Sequence, residues 1–218
     1  MSFWKAIGQI GAALLEEGMK KQAQVQKQNA RTLKQYESQL NQAAKSNRMD
    51  DPEYANKVQE ARRRLEQQKV KAYSGGAVNE QVTVNAAGEV TFGGYTLKQW
   101  ESRWRRLGNL RDLSTEQLQK YNKDIGIYKA EVNGKVQYIG RAIEHSNGGF
   151  RKRLRDYNRN SDSARTHRSG SLMNENADHA QISILVVGNS SEDVQTVKAL
   201  EKALILKYAP GWNVQFNR

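Results

Sequence analysis

The chain has 218 residues, with 35 Lys and Arg against 23 Asp and Glu, a net charge of +12, no cysteine and two prolines. That length builds one compact domain of about 100–150 residues with an accessory segment beside it. The absence of cysteine excludes a disulfide framework and a thiolate zinc site. No apolar run approaches the roughly 18 residues of a membrane span. The surplus positive charge points to an anionic partner, nucleic acid or an acidic membrane surface, without choosing between them.

Residues 1–73 are rich in Gln, Lys, Arg, Ala and Glu and show no strand-like alternation. Met1 to about Ser46 reads as one long helix. Phe3, Trp4, Ile7, Ile10, Leu14 and Leu15 recur at helical spacing, and Leu33, Tyr36, Leu40 and Ala43 continue a narrower stripe. Gly8, Gly11 and Gly18 weaken the first part by about 1 kcal/mol each relative to Ala. A second helix starts where Asp51 suits the N-cap, Pro52 the first helical position and Glu53 the positive helix end. On it Tyr54, Val58, Ala61 and Leu65 repeat. The expectation is a helical hairpin or coiled coil whose thin apolar stripe calls for a partner. That makes residues 1–73 a dimerisation, targeting or docking segment. The N-terminus lacks the small-residue cleavage site of a signal peptide. A helix packed on a partner helix is favoured over an amphipathic membrane-surface helix.

Residues 74–123 read as a linking region. Val82 and Val84, then Val90 to Phe92, flank a turn at Asn85-Ala86-Ala87-Gly88 and predict a small hairpin that Gly93-Gly94 breaks. Thr96 to Gln99 forms a capping box for a short helix ending near Gly108 and carrying Trp100, Arg103, Trp104, Arg105 and Arg106. Ser114 to Gln117 repeats the capping signal. From residue 124 to 218 the pattern is α+β, a small antiparallel sheet flanked by helices. Ile125–Val132 and Lys135–Ile139 flank the hairpin signal Asn133-Gly134. A helix follows from Phe150 to about Asn158, then a polar loop over 159–180, a buried strand at Gln181–Val187, a helix at Ser191–Tyr208 and a last strand at Trp212–Phe216.

Gly126-Ile127-Tyr128 and Tyr138-Ile139-Gly140 lie on the two arms of the hairpin, ten residues apart from tyrosine to tyrosine. Phe150, Arg153, Leu154 and Tyr157 share the next helix, Glu201 sits inside the late helix, and Asn213 follows Gly211-Trp212. Singly, each has a plainer reading: strand packing for the tyrosines, a solvated basic face for Arg153, a boundary position for Glu201, a turn for Asn213. In this order, over about residues 124–217, the set resembles the GIY-YIG nuclease family. The resemblance implies metal-dependent hydrolysis of phosphodiesters. It implies a catalytic set of Tyr128, Tyr138, Arg141, Arg153, Tyr157, Glu201 and Asn213, with Glu201 holding one Mg²⁺ or Mn²⁺. Two departures stand out. Arg141 replaces the lysine of several members, and the stretch Ile143–Gly149 is longer than usual. Tyr157 stands where members carry histidine or tyrosine, and His167 aligns with a loop histidine seen in some of them.

The chemistry agrees with these residue types. A hard ion on one carboxylate keeps its waters and meets substrate phosphate directly. Arg153 offers a planar fork to that phosphate. Tyr128 is the implied general base, and with an ordinary pKa of about 10 it needs positive charge nearby, which Arg141 is expected to supply. An arginine does not give up its proton as a lysine does, so any relay there is electrostatic only. Geometry adds a condition. A two-residue turn at Asn133-Gly134 would pair Tyr128 with Ile139 and send Tyr138 to the opposite face of the sheet. A three-residue turn with Gly134 left-handed pairs the two tyrosines on one face, and a bulged turn of that kind is expected.

Residues 141–168 carry eight Lys and Arg against three Asp and Glu. Arg151, Lys152, Arg155, Arg159, Arg165, His167 and Arg168 are the candidate phosphate-tracking surface, which gives affinity without sequence information. The sequence thus reads as a divalent-metal-dependent endonuclease acting on nucleic acid, DNA ahead of RNA, by a one-metal route. The helical extension leans the setting towards defence or an antibacterial toxin and allows a homodimer or docking partner through residues 1–73. The expected location is cytoplasmic, or secreted without a cleavable signal. The alternative from another class is a non-catalytic nucleic-acid-binding or scaffold protein.

Overall fold

The structure is a computed structural model that describes residues 31–32, 34–74, 79–159 and 167–213. The apolar stripe from Phe3 to Leu15, Arg165 and the end of the expected last strand lie outside the described residues.

Residues 34–43 form helix α1, and a 3-10 turn at Asn47–Asp50 leads into helix α2, Pro52–Ser74. Asp51 Oδ1 accepts the Glu53 N–H at 2.9 Å, so the helix starts where Asp51 and Pro52 predict. Lys69 ties the two helices together. Its half-buried Nζ bonds Glu37 of α1 at 2.5 Å and Glu66 of α2 at 2.7 Å.

The small hairpin is present as β1 (Val82–Val84) and β2 (Val90–Phe92). Gly93-Gly94, with φ of 54° and 84°, turns the chain back to add a short third strand, β3 (Tyr95–Thr96). The Thr96–Gln99 capping box opens helix α3, Leu97–Glu101. This helix stops well short of Gly108. Arg105–Asn109 is instead strand β4, paired with the strand at Gln181–Gly188 at the edge of the main sheet. The reason is tertiary: Trp100 is buried with its Nε1–H donated to Phe92 O at 2.8 Å, and the chain after it gains a ladder that outweighs local helix propensity.

The remaining elements are α4 (Thr115–Gln119), β5 (Ile125–Val132), β6 (Lys135–Ala142), α5 (Gly149–Asn158), α6 (Arg168–Glu175), β7 (Gln181–Gly188) and α7 (Asp193–Tyr208). Helix α6 lies inside the stretch expected to be loop; it buries Met173 against the sheet. The main sheet runs β4-β7-β5-β6 with every pair antiparallel. One face carries Tyr128, Ala130, Ile182 and Ile184 against Phe150, Leu154 and Met173. The other carries Ile127, Ile139 and Leu185 against Val197, Leu200 and Leu204 of α7. Tyr73, Phe92 and Trp100 share this second core, so α2, the small sheet and α3 cover the α7 side of the main sheet. The main sheet also takes in β4, Arg105–Asn109, which precedes residue 124.

The register of the β5–β6 hairpin departs from expectation in an informative way. The turn has two residues, Asn133 and Gly134, with φ of 51° and 72°, and Val132 pairs with Lys135. The extra residue lies further along. Glu131 pairs with Val136 and Ala130 with Tyr138, which leaves Gln137 as a bulge. From there Tyr128 pairs with Gly140, and Tyr128 and Tyr138 end on the same face one pleat apart. The bulge is in the ladder, not in the turn, and it meets the same condition.

Gly140 is what lets Tyr128 lie across β6. A methyl there would sit 2.5 Å from Tyr128 Cζ and 2.8 Å from Tyr138 Cε1. Overpacking of a filled site costs about 1–3 kcal/mol, so Gly140→Ala should lower unfolding free energy by that amount in a denaturant titration. A loss below about 0.5 kcal/mol, the level of an ordinary surface change, would contradict this packing.

Candidate active site

Three phenols meet at the edge of the sheet. Tyr128 comes from central strand β5, Tyr138 from edge strand β6 and Tyr157 from α5. Their ring centroids are 5.9, 6.0 and 6.2 Å apart. The Tyr128 and Tyr157 hydroxyls are 2.8 Å apart, and those of Tyr138 and Tyr157 are 3.4 Å apart. Tyr128 is 2% exposed and Tyr157 9%, while Tyr138 is only half-buried. Burial pushes the Tyr128 phenol well above its ordinary range, the other two phenols add to the shift, and Arg153 opposes it. Tyr157 is raised for the same first reason. Both hydroxyls are held protonated.

Arg153 stands one turn before Tyr157 on α5. Glu144 grips its guanidinium: Nε donates to Oε2 at 3.2 Å and Nη2 donates to Oε1. The Glu144 carboxylate also accepts the Ile143 N–H at 3.1 Å. Burial works to raise the Glu144 carboxyl, yet the Arg153 bonds and charge carry it below the usual carboxylate range. Glu144 has no place in the sequence motifs. Its only signal is a carboxylate inside the unusually long stretch before α5.

Arg141 lies on the face opposite Tyr128, paired in register with Ile127, and makes an ion pair with Glu201 of α7. The field that reaches Tyr128 is that of Arg153, not of Arg141 as the sequence suggests. Burial outweighs that field. Glu201 has a side chain only 12% exposed. Burial raises its carboxyl despite Arg141, Lys202 and Arg153, whose charges all pull it down. Arg153 thus acts on the tyrosines from one side and on Glu201 from the other.

Asn213 binds the outer edge of β6. Its Oδ1 accepts the Ile139 N–H at 2.8 Å and its Nδ2 donates to Ile139 O at 2.6 Å. Beside it, the Trp212 N–H donates to the carbonyl of bulged Gln137 at 2.8 Å. Of the candidate phosphate-tracking residues, Arg151, Lys152 and Arg155 are half-buried on α5, and Arg159, His167 and Arg168 are exposed. His167 occupies the N-cap position of α6 and makes no side-chain cap bond.

Among the described residues no group of three or more His, Cys, Asp or Glu gathers as a metal cage. The donor set that does exist suits a hard, hydrated ion: one desolvated carboxylate, Glu201, whose counter-charge is at present Arg141.

The two buried phenols make stability depend on alkaline pH. Their folded pKa lies above the unfolded value of about 10, so the contribution is complete below pH 10 and declines above it, by up to about 1.4 kcal/mol per pH unit for each phenol. Tyr128→Phe removes one of them. Denaturant unfolding between pH 10 and 11.5 should show a shallower decline for the variant by about that slope. An unchanged slope would contradict the buried, protonated phenol.

No family model matches the chain, and no curated protein matches it. The chain is similar to two solved structures of the GIY-YIG N-terminal endonuclease domain of UvrC from Thermotoga maritima. One is bound to its catalytic divalent cation, magnesium, with 26% identity, covering 45% of this chain and 92% of that domain at a TM-score of 0.33. The other is a point mutant bound to its catalytic divalent cation, with 27% identity, covering 46% and 93% at a TM-score of 0.32.

Proposed function

We propose that the chain is a divalent-metal-dependent endonuclease that hydrolyses phosphodiester bonds in DNA. The observation that carries this reading is that three hydrogen-bonded phenols lie on one face of the β5–β6 hairpin and the Arg141–Glu201 ion pair on the other, with the charge of Arg153 acting on both.

Glu201 is the residue that would hold Mg²⁺ or Mn²⁺. Bound there, such an ion would supply positive charge to the phosphate and to the departing oxygen. Arg141, Arg153, Glu144 and Glu201 together sum to zero formal charge, so a dication leaves the site positive enough to receive a phosphodiester. Arg153 takes a phosphate oxygen pair and holds it by charge-assisted hydrogen bonds. Arg141, beside Glu201, would add a second positive group for the phosphate.

The water-orienting role moves from Tyr128 to Tyr138. The Tyr128 hydroxyl is buried and engaged by Tyr157, so it has neither access to water nor a tendency to lose its proton. Tyr138 is the half-exposed member. The Tyr138 hydroxyl lies 3.4 Å from that of Tyr157, which Tyr128 in turn holds at 2.8 Å, so the two buried phenols fix the position of the exposed one. Asn213 keeps β6 and its bulge in place through Ile139.

One ion and one phosphate site cut one strand at a time. With Mg²⁺, supercoiled plasmid should therefore convert to open circles before linear DNA appears. Glu201→Ala should lose at least about 100-fold in rate, and Tyr138→Phe should lose more than Tyr128→Phe. A protein that retains DNA but never nicks it, in Mg²⁺ or Mn²⁺, would support the non-catalytic binding alternative instead.

A further inference from the structure

Arg153 meets a carboxylate in a particular way. Glu144 takes the side-on edge of the guanidinium, Nε and one hydrogen of Nη2. A guanidinium has five N–H donors in a rigid plane, so the end-on edge, Nη1 with the second Nη2 hydrogen, is the one Glu144 does not use. Glu144 is itself fixed. Its backbone carbonyl accepts N–H bonds from Asn147 at 2.9 Å and Gly149 at 3.0 Å, and its carboxylate accepts the Ile143 N–H. Gly148 and Gly149, with φ of 92° and 44°, close this turn onto α5, and a methyl on Gly149 would press on the carbonyls of Tyr121 and Asn122. The long stretch before α5 is thus built around one carboxylate.

We propose that Glu144 is a positioning residue: it fixes the plane of Arg153 so that the end-on edge faces the substrate phosphate. The proposal rests on the reading that Arg153 meets a phosphate. One physical point supports it. A free arginine samples many rotamers, and a fork held at one edge has already lost most of that freedom before the phosphate arrives. Glu144 also places a negative charge near the incoming phosphate. Its cost falls on binding and its benefit on turnover.

That division gives the test. Steady-state nicking of plasmid DNA in Mg²⁺ is measured on the full chain for wild type, Glu144→Gln, Glu144→Asp, Arg153→Lys and the Glu144→Gln/Arg153→Lys double variant. Glutamine keeps the size, loses the charge and cannot accept both N–H bonds. Its kcat should fall by about 10- to 100-fold with KM unchanged or lower, and aspartate should lie between it and wild type. In the Arg153→Lys background, which has no planar fork, the same glutamine should cost nothing further. An unchanged kcat in Glu144→Gln, a higher KM with constant kcat, or an equal loss in both backgrounds would overturn the positioning role. A wild type that does not nick at all would instead remove the endonuclease reading, and the proposal with it.

Discussion

The unpaired Gln137 decides which side chains can work together. A β-hairpin with a two-residue turn and unbroken pairing would put Tyr128 opposite Ile139 and send Tyr138 to the far face. One additional residue in β6 shifts the register, Tyr128 comes to lie across Gly140, and both phenols face α5, where Tyr157 links them. The bulge gives up ladder bonds on one side of β6. On the other side the Trp212 N–H takes the Gln137 carbonyl and Asn213 takes both polar groups of Ile139. The segment after α7 therefore completes the edge of the sheet beside the phenols, and the strand edge has no row of unpaired groups at that point.

The charged groups flank this edge as two opposite pairs. Arg153 with Glu144 belongs to the α5 side, and Arg141 with Glu201 to the α7 side. Breaking a half-buried pair by removing one partner leaves a charge without compensation, so each pair constrains the other group strongly even where its net contribution to stability is small. Helix α7, which carries Glu201, shares its core with Tyr73 of α2, Phe92 of β2 and Trp100 of α3. The accessory elements thus set the position of Glu201 from behind.

The sequence made most of this arrangement legible because the hairpin, the arginine helix and the late helix each carry strong local signals. Asn133-Gly134 marks the turn, and Asp51-Pro52, Thr96–Gln99 and Ser114–Gln117 mark helix starts that the structure reproduces. What escaped depends on long-range packing. Arg105–Asn109 has no strand pattern of its own and becomes β4 only because β7 offers a ladder. Helix α6 shows too short an apolar period to announce itself, and Met173 is held by the sheet face it meets. The bulge at Gln137 has no marker such as glycine. Glu144 looks like any loop glutamate until folding brings Arg153, nine residues later, against it. The protonation state of Tyr128 was equally hidden, because burial, which no motif encodes, outweighs the arginine charge beside it.

The central claim is that Glu201 and the edge of β6 together form a single divalent-cation site. It is tested most directly by adding Mn²⁺ in small steps to the ¹⁵N-labelled full chain and following paramagnetic broadening of its amide signals. The account predicts selective loss of the signals of Glu201, Gly140 and Arg141, with recovery on adding excess Mg²⁺. Broadening centred elsewhere, or none around Glu201, would contradict it.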